Sequence, residues 1–190
     1  KRQIQGQTSR DKLLDAATRL FHENGYQAVT VNDICEAAQL TKGAFYHHFD
    51  SKEALYQHLY TPQLDTYLAS HFSISEDADG KTLLLALADA TLSFSEEIGR
   101  EMTSLSITVM LNRGTSHLFT EGRVHTRLLH QALSQSQAGN QLKCEGSEHE
   151  LMLIYSCLMV GFLVKWASLA DESNFDWHNL LQREMQLMFC

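Results

Sequence analysis

Residues 30–49 read TVNDICEAAQLTKGAFYHHF, and this stretch decides the fold. It contains two short helical patterns separated only by positions 39–40, which predicts a tight turn between two helices. Thr30 can cap the first of these two short helices by accepting a hydrogen bond from the backbone N–H of Asp33. Thr41 can cap the second short helix. Two short helices joined by so brief a turn form a helix-turn-helix when a longer helix supports them.

A longer helical pattern precedes this stretch. Between Ser9 and Asn24 the apolar residues recur every three or four positions, which is the spacing of one helix face. Thr8 or Ser9 can cap its start, and Gly25 suits the left-handed backbone that often ends a helix. We therefore expect a first helix that supports the two short ones.

A fourth helical pattern follows and contains the only proline of the chain. Asp50 or Ser51 can cap its start, with Glu53 as the capping-box partner of Asp50. Pro62 removes one backbone donor, so it either kinks the helix or ends it near Tyr60. Because the apolar spacing continues beyond Pro62, we expect a kink.

The rest of the chain is also helical in pattern, and it contains no long β-branched run. The sequence predicts an all-α protein of about nine helices. We expect an N-terminal three-helix domain with the helix-turn-helix over residues 1–56 and a helical C-terminal domain over residues 57–190. The predicted helices of the second domain are Lys81–Ile98, Arg100–Leu111, Ser116–Gln137, Ser147–Leu169 with a Ser147–Glu150 capping box, and a last helix that Asn174 caps and that contains Phe175.

Charge is distributed unevenly along the chain. The sequence has a formal net charge of −8, yet residues 1–60 hold seven Lys or Arg and seven Asp or Glu and are neutral. The acidic remainder repels phosphate, which leaves the N-terminal part as the only plausible nucleic-acid surface. A segment without net positive charge does not by itself attract DNA. The prediction of a nucleic-acid surface must therefore rest on geometry.

The second short helix has an outward face that suits a groove in DNA. Phe45 and Phe49 lie one turn apart and must face the core, opposite Gly43 and His47. Small residues let the helix backbone approach base edges, whereas a plain surface helix gains nothing from glycine. The alternative is a solvated surface. The groups that can contact bases or phosphate are Lys42, Gly43, Ala44, Tyr46 and His47 on this helix, and Thr30, Thr41 and Lys52 at helix starts.

At these residues the chain resembles a known family. TVNDI at 30–34, LTKGAFYHHF at 40–49 and SKEAL at 51–55 are similar to the DNA-binding domain of the tetracycline-repressor (TetR) family. The resemblance spans residues 8–56. It implies that the third helix enters the major groove and that DNA contacts come from Thr30, Lys42, Gly43, Ala44, Tyr46, His47 and Lys52.

The resemblance has further consequences. It implies a bacterial, all-helical homodimer in which the last two helices of each subunit form a four-helix interface. The family commonly has Gly in the turn where this chain has Gln39, so a left-handed Gln39 costs about 1 kcal/mol. The backbone of the turn can instead adopt a slightly different geometry in which Gln39 is not left-handed.

The long apolar helix predicts part of such a dimer seam. Small residues on one face let two helices approach closely, and the last helix adds apolar residues. The alternative is burial within one subunit. The predicted seam residues are Cys157, Gly161, Val164 and Ser168, together with Leu181, Met185 and Met188.

A small apolar or amphipathic effector is the third predicted partner, beside pseudo-palindromic double-stranded DNA and a second copy of the chain. Met and aromatic side chains build adaptable apolar pockets, although core packing is the first interpretation for each of them. Only the family resemblance implies that a pocket exists. The candidate lining residues are Phe94, Met102, Met110, Phe119, Tyr155 and Met159.

Other classes of protein find little support in the sequence. The ten histidines form no metal-ligand pattern, no catalytic motif is present, and we predict no metal, no cofactor and no enzyme activity. The apolar run Leu151–Val164 is shorter than the roughly 20 residues that cross a bilayer, so no membrane span is expected. The N-terminus carries no apolar leader, which indicates a cytoplasmic protein. We expect reduced thiols, with Cys35 and Cys157 packed as small apolar groups, against a redox-sensing alternative.

These features lead to one main hypothesis and two alternatives. The first is a repressor that a small-molecule effector releases from a palindromic operator by shifting the fourth helix near Pro62. The second is a DNA-bound structural or protein-recruiting factor without an effector. The third is a global activator that no small molecule tunes.

Overall fold

The computed structural model describes residues 2–72, 78–113, 122–169 and 175–189, with only the backbone at 2–8 and 113. Three predicted features lie outside the described residues: the pocket residue Phe119, the cap Asn174 and the thiol of Cys190. The predicted helix Ser116–Gln137 is wrong in its described first part, because Gly122 and Arg123 are not helical and the helix there begins at Val124.

The described residues contain eight α-helices and no β-strand, which confirms the all-α prediction. The predicted break between Lys81–Ile98 and Arg100–Leu111 is confirmed: the backbone is not helical at Gly99, where φ is 84° and ψ is 165°, so the range given for α5 contains two helical segments. Glycine adopts such a conformation without steric penalty. The helices are α1 (Arg2–Asn24), α2 (Val31–Ala37), α3 (Lys42–His48), α4 (Lys52–His71), α5 (Gly80–Arg113), α6 (Val124–Ala138), α7 (Glu148–Ser168) and α8 (Trp177–Phe189).

The chain divides into two compact units, Lys1–Gln63 and Leu64–Cys190. The division falls after Gln63, later than the predicted boundary after residue 56, and both positions lie inside α4. Leu55 and Tyr56, in the first turns of α4, are buried and add to the core of the N-terminal unit.

The N-terminal unit is held together by one apolar side chain or more from each of its helices. Leu13 of α1, Ile34 of α2, Phe45 of α3 and Leu55 of α4 are fully buried. Helices of seven residues, such as α2 and α3, are not stable alone in water. This shared core is therefore what keeps the two short helices formed.

Several helix ends differ from the sequence prediction. Helix α1 begins at Arg2, so Thr8 and Ser9 lie inside it and do not cap it. Ser51 caps α4 by accepting from the N–H of Ala54 at 3.1 Å, and the predicted Asp50–Glu53 box is replaced by a hydrogen bond from the Tyr26 hydroxyl to Glu53 at 3.0 Å. The carboxyl group of Glu53 thus serves a partner 27 residues away, which local spacing could not reveal.

Two other features follow the sequence more closely. Pro62 lies inside α4, and the helix continues to His71. The Ser147–Glu150 capping box at the start of α7 is formed as predicted. Helix α8 begins at Trp177, later than predicted, because Asp176 caps it by accepting from the N–H of Asn179 at 2.9 Å.

Helix α7 is the apolar centre of the C-terminal unit and packs against α5, α6 and α8. The whole helix of 21 residues is long and apolar enough to cross a membrane by length and composition, whereas the prediction considered only the shorter run Leu151–Val164. Leu151, Tyr155, Met159 and Trp166 are nevertheless buried within the unit. The helix is accounted for by packing in a protein core.

A histidine ties α8 to α5. The Nδ1 atom of His178 lies 2.6 Å from Asp89 and its Nε2 atom lies 3.0 Å from Glu96. Both ring nitrogens can donate to carboxylates only in the imidazolium form. Burial lowers the pKa of His178, but the hydrogen bonds and charges of the two carboxylates outweigh it and raise the pKa above its ordinary value.

We predict that this tie makes stability depend on pH. A raised folded-state pKa contributes stability that is complete below the unfolded pKa of about 6.5 and is lost as pH rises through the folded pKa. In urea unfolding, wild type should therefore exceed His178→Gln most at pH 5.5–6, by a difference that shrinks towards pH 8.5. His149→Gln, at an exposed histidine of α7, is the control. A difference that stays constant over this range would contradict the imidazolium bridge.

Candidate nucleic-acid interface

Helix α3 presents two opposite faces. Phe45 and Phe49 are buried, with ring centroids 5.8 Å apart, as the sequence predicted. On the other side Lys42, Gly43 and His47 are exposed. Tyr46 is 54% exposed, and its ring contacts the Phe45 ring edge-on at 5.3 Å. The core residues thus fix which side of α3 points to solvent, and packing against Phe45 orients the Tyr46 ring.

The turn before α3 is held by backbone hydrogen bonds. The N–H of Gln39 donates to Glu36 O at 3.0 Å, and the N–H of Leu40 donates to Cys35 O at 2.8 Å. This pair of bonds is a Schellman motif, which needs a left-handed residue between helix and exit. Gln39 is that residue, with φ of 56°. The departure noted in the sequence is therefore accommodated by strain of about 1 kcal/mol and not by a recast turn.

The two threonine caps are not equivalent. Thr30 accepts from the N–H of Asp33, and its own hydroxyl proton goes to the Asp33 carboxylate at 2.7 Å. Thr41 accepts from the N–H of Ala44 at 3.1 Å. The hydroxyl proton of Thr30 is thus engaged within its capping box. Thr41 is therefore better placed than Thr30 to donate a hydroxyl proton to phosphate.

Lys52, predicted to contact phosphate, is turned into the N-terminal unit. Its ammonium group donates to the carbonyl oxygens of Tyr26 and Val29 at 2.8 and 2.7 Å, and it lies 3.9 Å from the centre of the Tyr26 ring. Lys52 thus fastens the connection between α1 and α2 to α4. Its predicted phosphate contact stays a prediction. Tyr26 and Val29 lie more than 20 positions away in sequence, so spacing gave no sign of this role.

The neighbouring histidines also have different surroundings. His47 is exposed, whereas His48 is half-buried, with the two ring centroids 5.0 Å apart. Burial lowers the pKa of His48, and the charges of His47 and Arg10 lower it further, so His48 is neutral at pH 7. The guanidinium of Arg10 lies over the Phe49 ring at 5.5 Å. Arg10 thus brings a positive charge beside the end of α3 that the sequence analysis missed.

Gly43 has no internal reason to be glycine. A Cβ atom placed there would meet only the Thr41 hydroxyl oxygen, at an ordinary contact distance of 3.7 Å. Its φ is not positive, since it lies within α3. Glycine inside a helix lowers stability by about 0.5–1 kcal/mol relative to alanine. No contact among the described residues therefore accounts for glycine at this position.

The predicted seam residues fall into two groups. On α7, Cys157, Gly161, Val164 and Ser168 are exposed along one face, and Leu153, 40% exposed, extends that face by one turn. On α8, Met188 is exposed, but Leu181 and Met185 are fully buried in the single chain and belong to its core. The exposed face of α8 carries a second apolar side chain beside Met188, that of Leu187, which is 65% exposed.

The exposure of Cys157 also corrects a second prediction. Cys157 does not pack as a small apolar core group, because it lies on the solvent side of α7. Cys35 does so as predicted: it is 4% exposed, and burial raises the pKa of its thiol.

The predicted pocket residues lie on α5 and α7, which pack together. Phe94, Tyr155 and Met159 are buried, whereas Met102 and Met110 are half-buried and follow the break at Gly99. Within the described part of the chain, no three or more His, Cys, Asp or Glu residues are grouped to hold a metal ion.

Residues 13–59 match the family model of bacterial regulatory proteins of the tetR family. Two similar proteins of known name are the transcriptional repressor KstR2 of Rhodococcus jostii and the transcriptional regulator UidR of Escherichia coli. KstR2 is 40% identical over 79 residues, which is 41% of this chain and 39% of KstR2. UidR is 42% identical over 55 residues, which is 29% of this chain and 28% of UidR. Residues 13–59 thus form a domain of the TetR family.

The matched relatives are covered only in part, since the aligned segment spans 39% of KstR2 and 28% of UidR. A solved structure, that of the fatty acid degradation regulator FadR from Bacillus halodurans, resembles nearly the whole chain. Its TM-score is 0.61 at 18% identity, covering 94% of this chain and 93% of FadR. The TetR fold thus extends over both units, while the sequence likeness is confined to the first third of the chain or little more.

We predict opposite effects of Gly43→Ala on stability and on DNA binding. The added methyl group should stabilise the protein by about 0.5–1 kcal/mol in urea unfolding, because it favours the helix and meets no clash. The same methyl group should weaken binding to a selected DNA fragment about tenfold, because it fills the gap between α3 and the bases. Ser104→Ala, at an exposed serine of α5, is a control that gains helix propensity away from α3. Unchanged DNA affinity in Gly43→Ala would refute the close approach.

Proposed function

We propose that the protein is a homodimeric transcription regulator of the TetR family, and specifically a repressor that a small molecule releases from a pseudo-palindromic operator. The observation that carries the proposal is the outward face of α3, where an unexplained glycine lies among groups able to contact DNA. The relatives KstR2 and UidR are named as a repressor and a regulator of transcription, which supports the same class.

The face of α3 matches the chemistry of a major groove. The groove is about 12 Å wide and admits an α-helix. Gly43 and Ala44 let the helix backbone come close, while Lys42 and Thr41 are placed at its N-terminus, where phosphate is attracted. Tyr46 and His47 can reach phosphates or base edges. Because the N-terminal part of the chain is neutral overall, affinity has to come from this fit and not from bulk positive charge.

A dimer supplies the second half-site. One short recognition helix buries little surface, and two helices about 34 Å apart read successive major grooves on one side of the duplex. The exposed face of α7, from Leu153 through Gly161 and Val164, is apolar and contains small residues. Leu187 and Met188 add exposed apolar surface on α8. These two helices from each subunit can form a four-helix seam.

The release step is assigned to α4. This helix contributes residues to both units, and Pro62 near the division has no N–H to bond the carbonyl of His58. A helix is easiest to bend where its ladder lacks a bond. An effector held in the C-terminal unit would displace the second half of α4 and thereby change the spacing of the two recognition helices.

We predict that Tyr46→Ala abolishes operator binding while the dimer stays intact, because the ring is exposed and supports no core residue. The test is selection of host genomic fragments by purified protein at a stated, near-physiological salt concentration, with wild type and variant in parallel. Wild type should enrich a palindromic consensus that the variant loses. Phe175→Ala, which removes an exposed aromatic ring from the C-terminal unit, should enrich the same consensus as wild type. Weak binding without a consensus, equal in both proteins, would favour the structural factor.

We predict that Val164→Glu dissociates the dimer, because it places two like charges against each other in an apolar seam. The dissociation constant should rise about a hundredfold, or roughly 3 kcal/mol, in sedimentation measurements. Leu111→Glu introduces the same charge at an apolar residue of α5 that is 65% exposed and should leave the dimer unchanged. A dimer that survives Val164→Glu would place the interface elsewhere.

A further inference from the structure

Arg10 of α1 reaches the carbonyl end of α3. Its guanidinium lies over the Phe49 ring, 5.5 Å from the ring centre, and Phe49 is the residue that ends α3. The charge of Arg10 also lowers the pKa of His48, in the last turn of that helix. Helices α1 and α3 pack together within the N-terminal unit, so the core of that unit fixes where Arg10 stands.

The guanidinium of Arg10 has no ionic partner among the side chains that the structure describes. The ion pairs there involve Arg123, His130 and His178, and none involves Arg10. Arg10 is half-buried, and the aromatic ring beneath it holds its planar group through a cation–π contact. Arginine can form two parallel hydrogen bonds with phosphate oxygens, and a guanidinium that is already oriented loses little freedom on binding.

Phosphate binding at this end of α3 needs a cation from another helix. The carbonyl end of a helix carries a partial negative charge that repels phosphate, and the exposed carboxylate of Asp50 follows directly. His48 is neutral at pH 7, because burial and the neighbouring positive charges lower its pKa. Arginine is always charged. Arg10 is therefore the permanent charge that can offset the repulsion at this end of the helix.

The length of α3 matches the groove that it is proposed to enter. Seven residues rise about 10 Å along a helix, and the major groove is about 12 Å wide. A cation at each end of such a helix can therefore reach a phosphate while the side chains between them face the bases. Lys42 stands at the first end of α3, and Arg10 stands beside Phe49 at the second.

We propose that Arg10 binds a phosphate of the DNA backbone at the carbonyl end of α3, and that α1 is thereby part of the DNA-binding surface. The inference rests on the proposed function, and it adds a residue and a helix that the family resemblance did not imply. Phosphate contacts carry no sequence information. Arg10 thus contributes affinity and fixes the orientation of α3, and it does not select bases.

The first test replaces Arg10 with methionine, which can still cover the Phe49 ring but has no charge. Arg10→Met should bind the selected DNA fragment at least tenfold more weakly at near-physiological salt, and an unrelated duplex by a similar factor. The slope of log affinity against log salt concentration should fall by about 0.9 for each half-site, because one phosphate contact is lost. Arg19→Met removes the same charge from an exposed position of α1 and should leave both quantities nearly unchanged.

A purely structural Arg10 gives a different result. If the side chain only covers Phe49, Arg10→Met keeps the affinity and the salt slope of wild type, and the proposal is overturned. A slope that falls equally in Arg19→Met also overturns it, because the effect is then one of bulk charge. The melting temperature of Arg10→Met should stay close to that of wild type. If it does not, Arg10→Gln takes its place with the same expected loss of slope.

The second test locates the phosphate. Single phosphates of the selected fragment are replaced by uncharged methylphosphonates, and each fragment is bound to wild type, Arg10→Met and Arg19→Met. One position in each half-site should weaken wild type and Arg19→Met about tenfold but leave Arg10→Met unchanged, because the partner of that phosphate is already missing. If every position that weakens wild type weakens Arg10→Met equally, no phosphate belongs to Arg10 and the proposal is overturned.

The phosphate contact and the proposed function can fail separately. A palindromic consensus for wild type, together with an unchanged salt slope in Arg10→Met, retains the regulator and rejects the contact. A wild type that selects no consensus, but whose salt slope on an unrelated duplex falls in Arg10→Met and not in Arg19→Met, retains the contact and rejects the operator-binding function.

Discussion

Burial of Phe45 and Phe49 is the constraint on which the DNA-binding unit depends. These two rings fill the space between three helices that are each too short or too polar to be stable alone. By fixing the inner face of α3, they also fix its outer face, so the orientation of Gly43, Tyr46 and His47 is a consequence of core packing. The recognition surface therefore needs no special local structure beyond the turn at Gln39, where the strained backbone is held by two Schellman hydrogen bonds.

The sequence was sufficient where the determining interactions are local. Apolar spacing located the helices, and the caps at Thr30, Thr41 and Ser147 predicted their starts correctly because a capping box involves residues only three positions apart. Prediction failed where a side chain bonds to a residue that is far away in the sequence. Lys52 and Glu53 both form hydrogen bonds with groups on the connection between α1 and α2. No local sequence pattern distinguishes a lysine that binds two backbone carbonyl groups from one that is free to bind phosphate.

The C-terminal unit shows a second limit of sequence reasoning. Helix α7 is apolar on almost every side, so its pattern could not separate core from seam, nor a core helix from a membrane span. Only packing against α5, α6 and α8 separates the buried side, with Tyr155 and Trp166, from the exposed side, with Gly161 and Val164. On α8 the same ambiguity led to Leu181 and Met185 being taken for seam residues, although they complete the core of one subunit.

The residues with no role inside the subunit point to its partners. Gly43 weakens a helix, and the exposed Val164 and Leu187 leave apolar surface in water. Each departure reduces the stability of an isolated chain, and the proposed function assigns the first to DNA and the second to another subunit. Natural sequences violate local rules chiefly at functional sites.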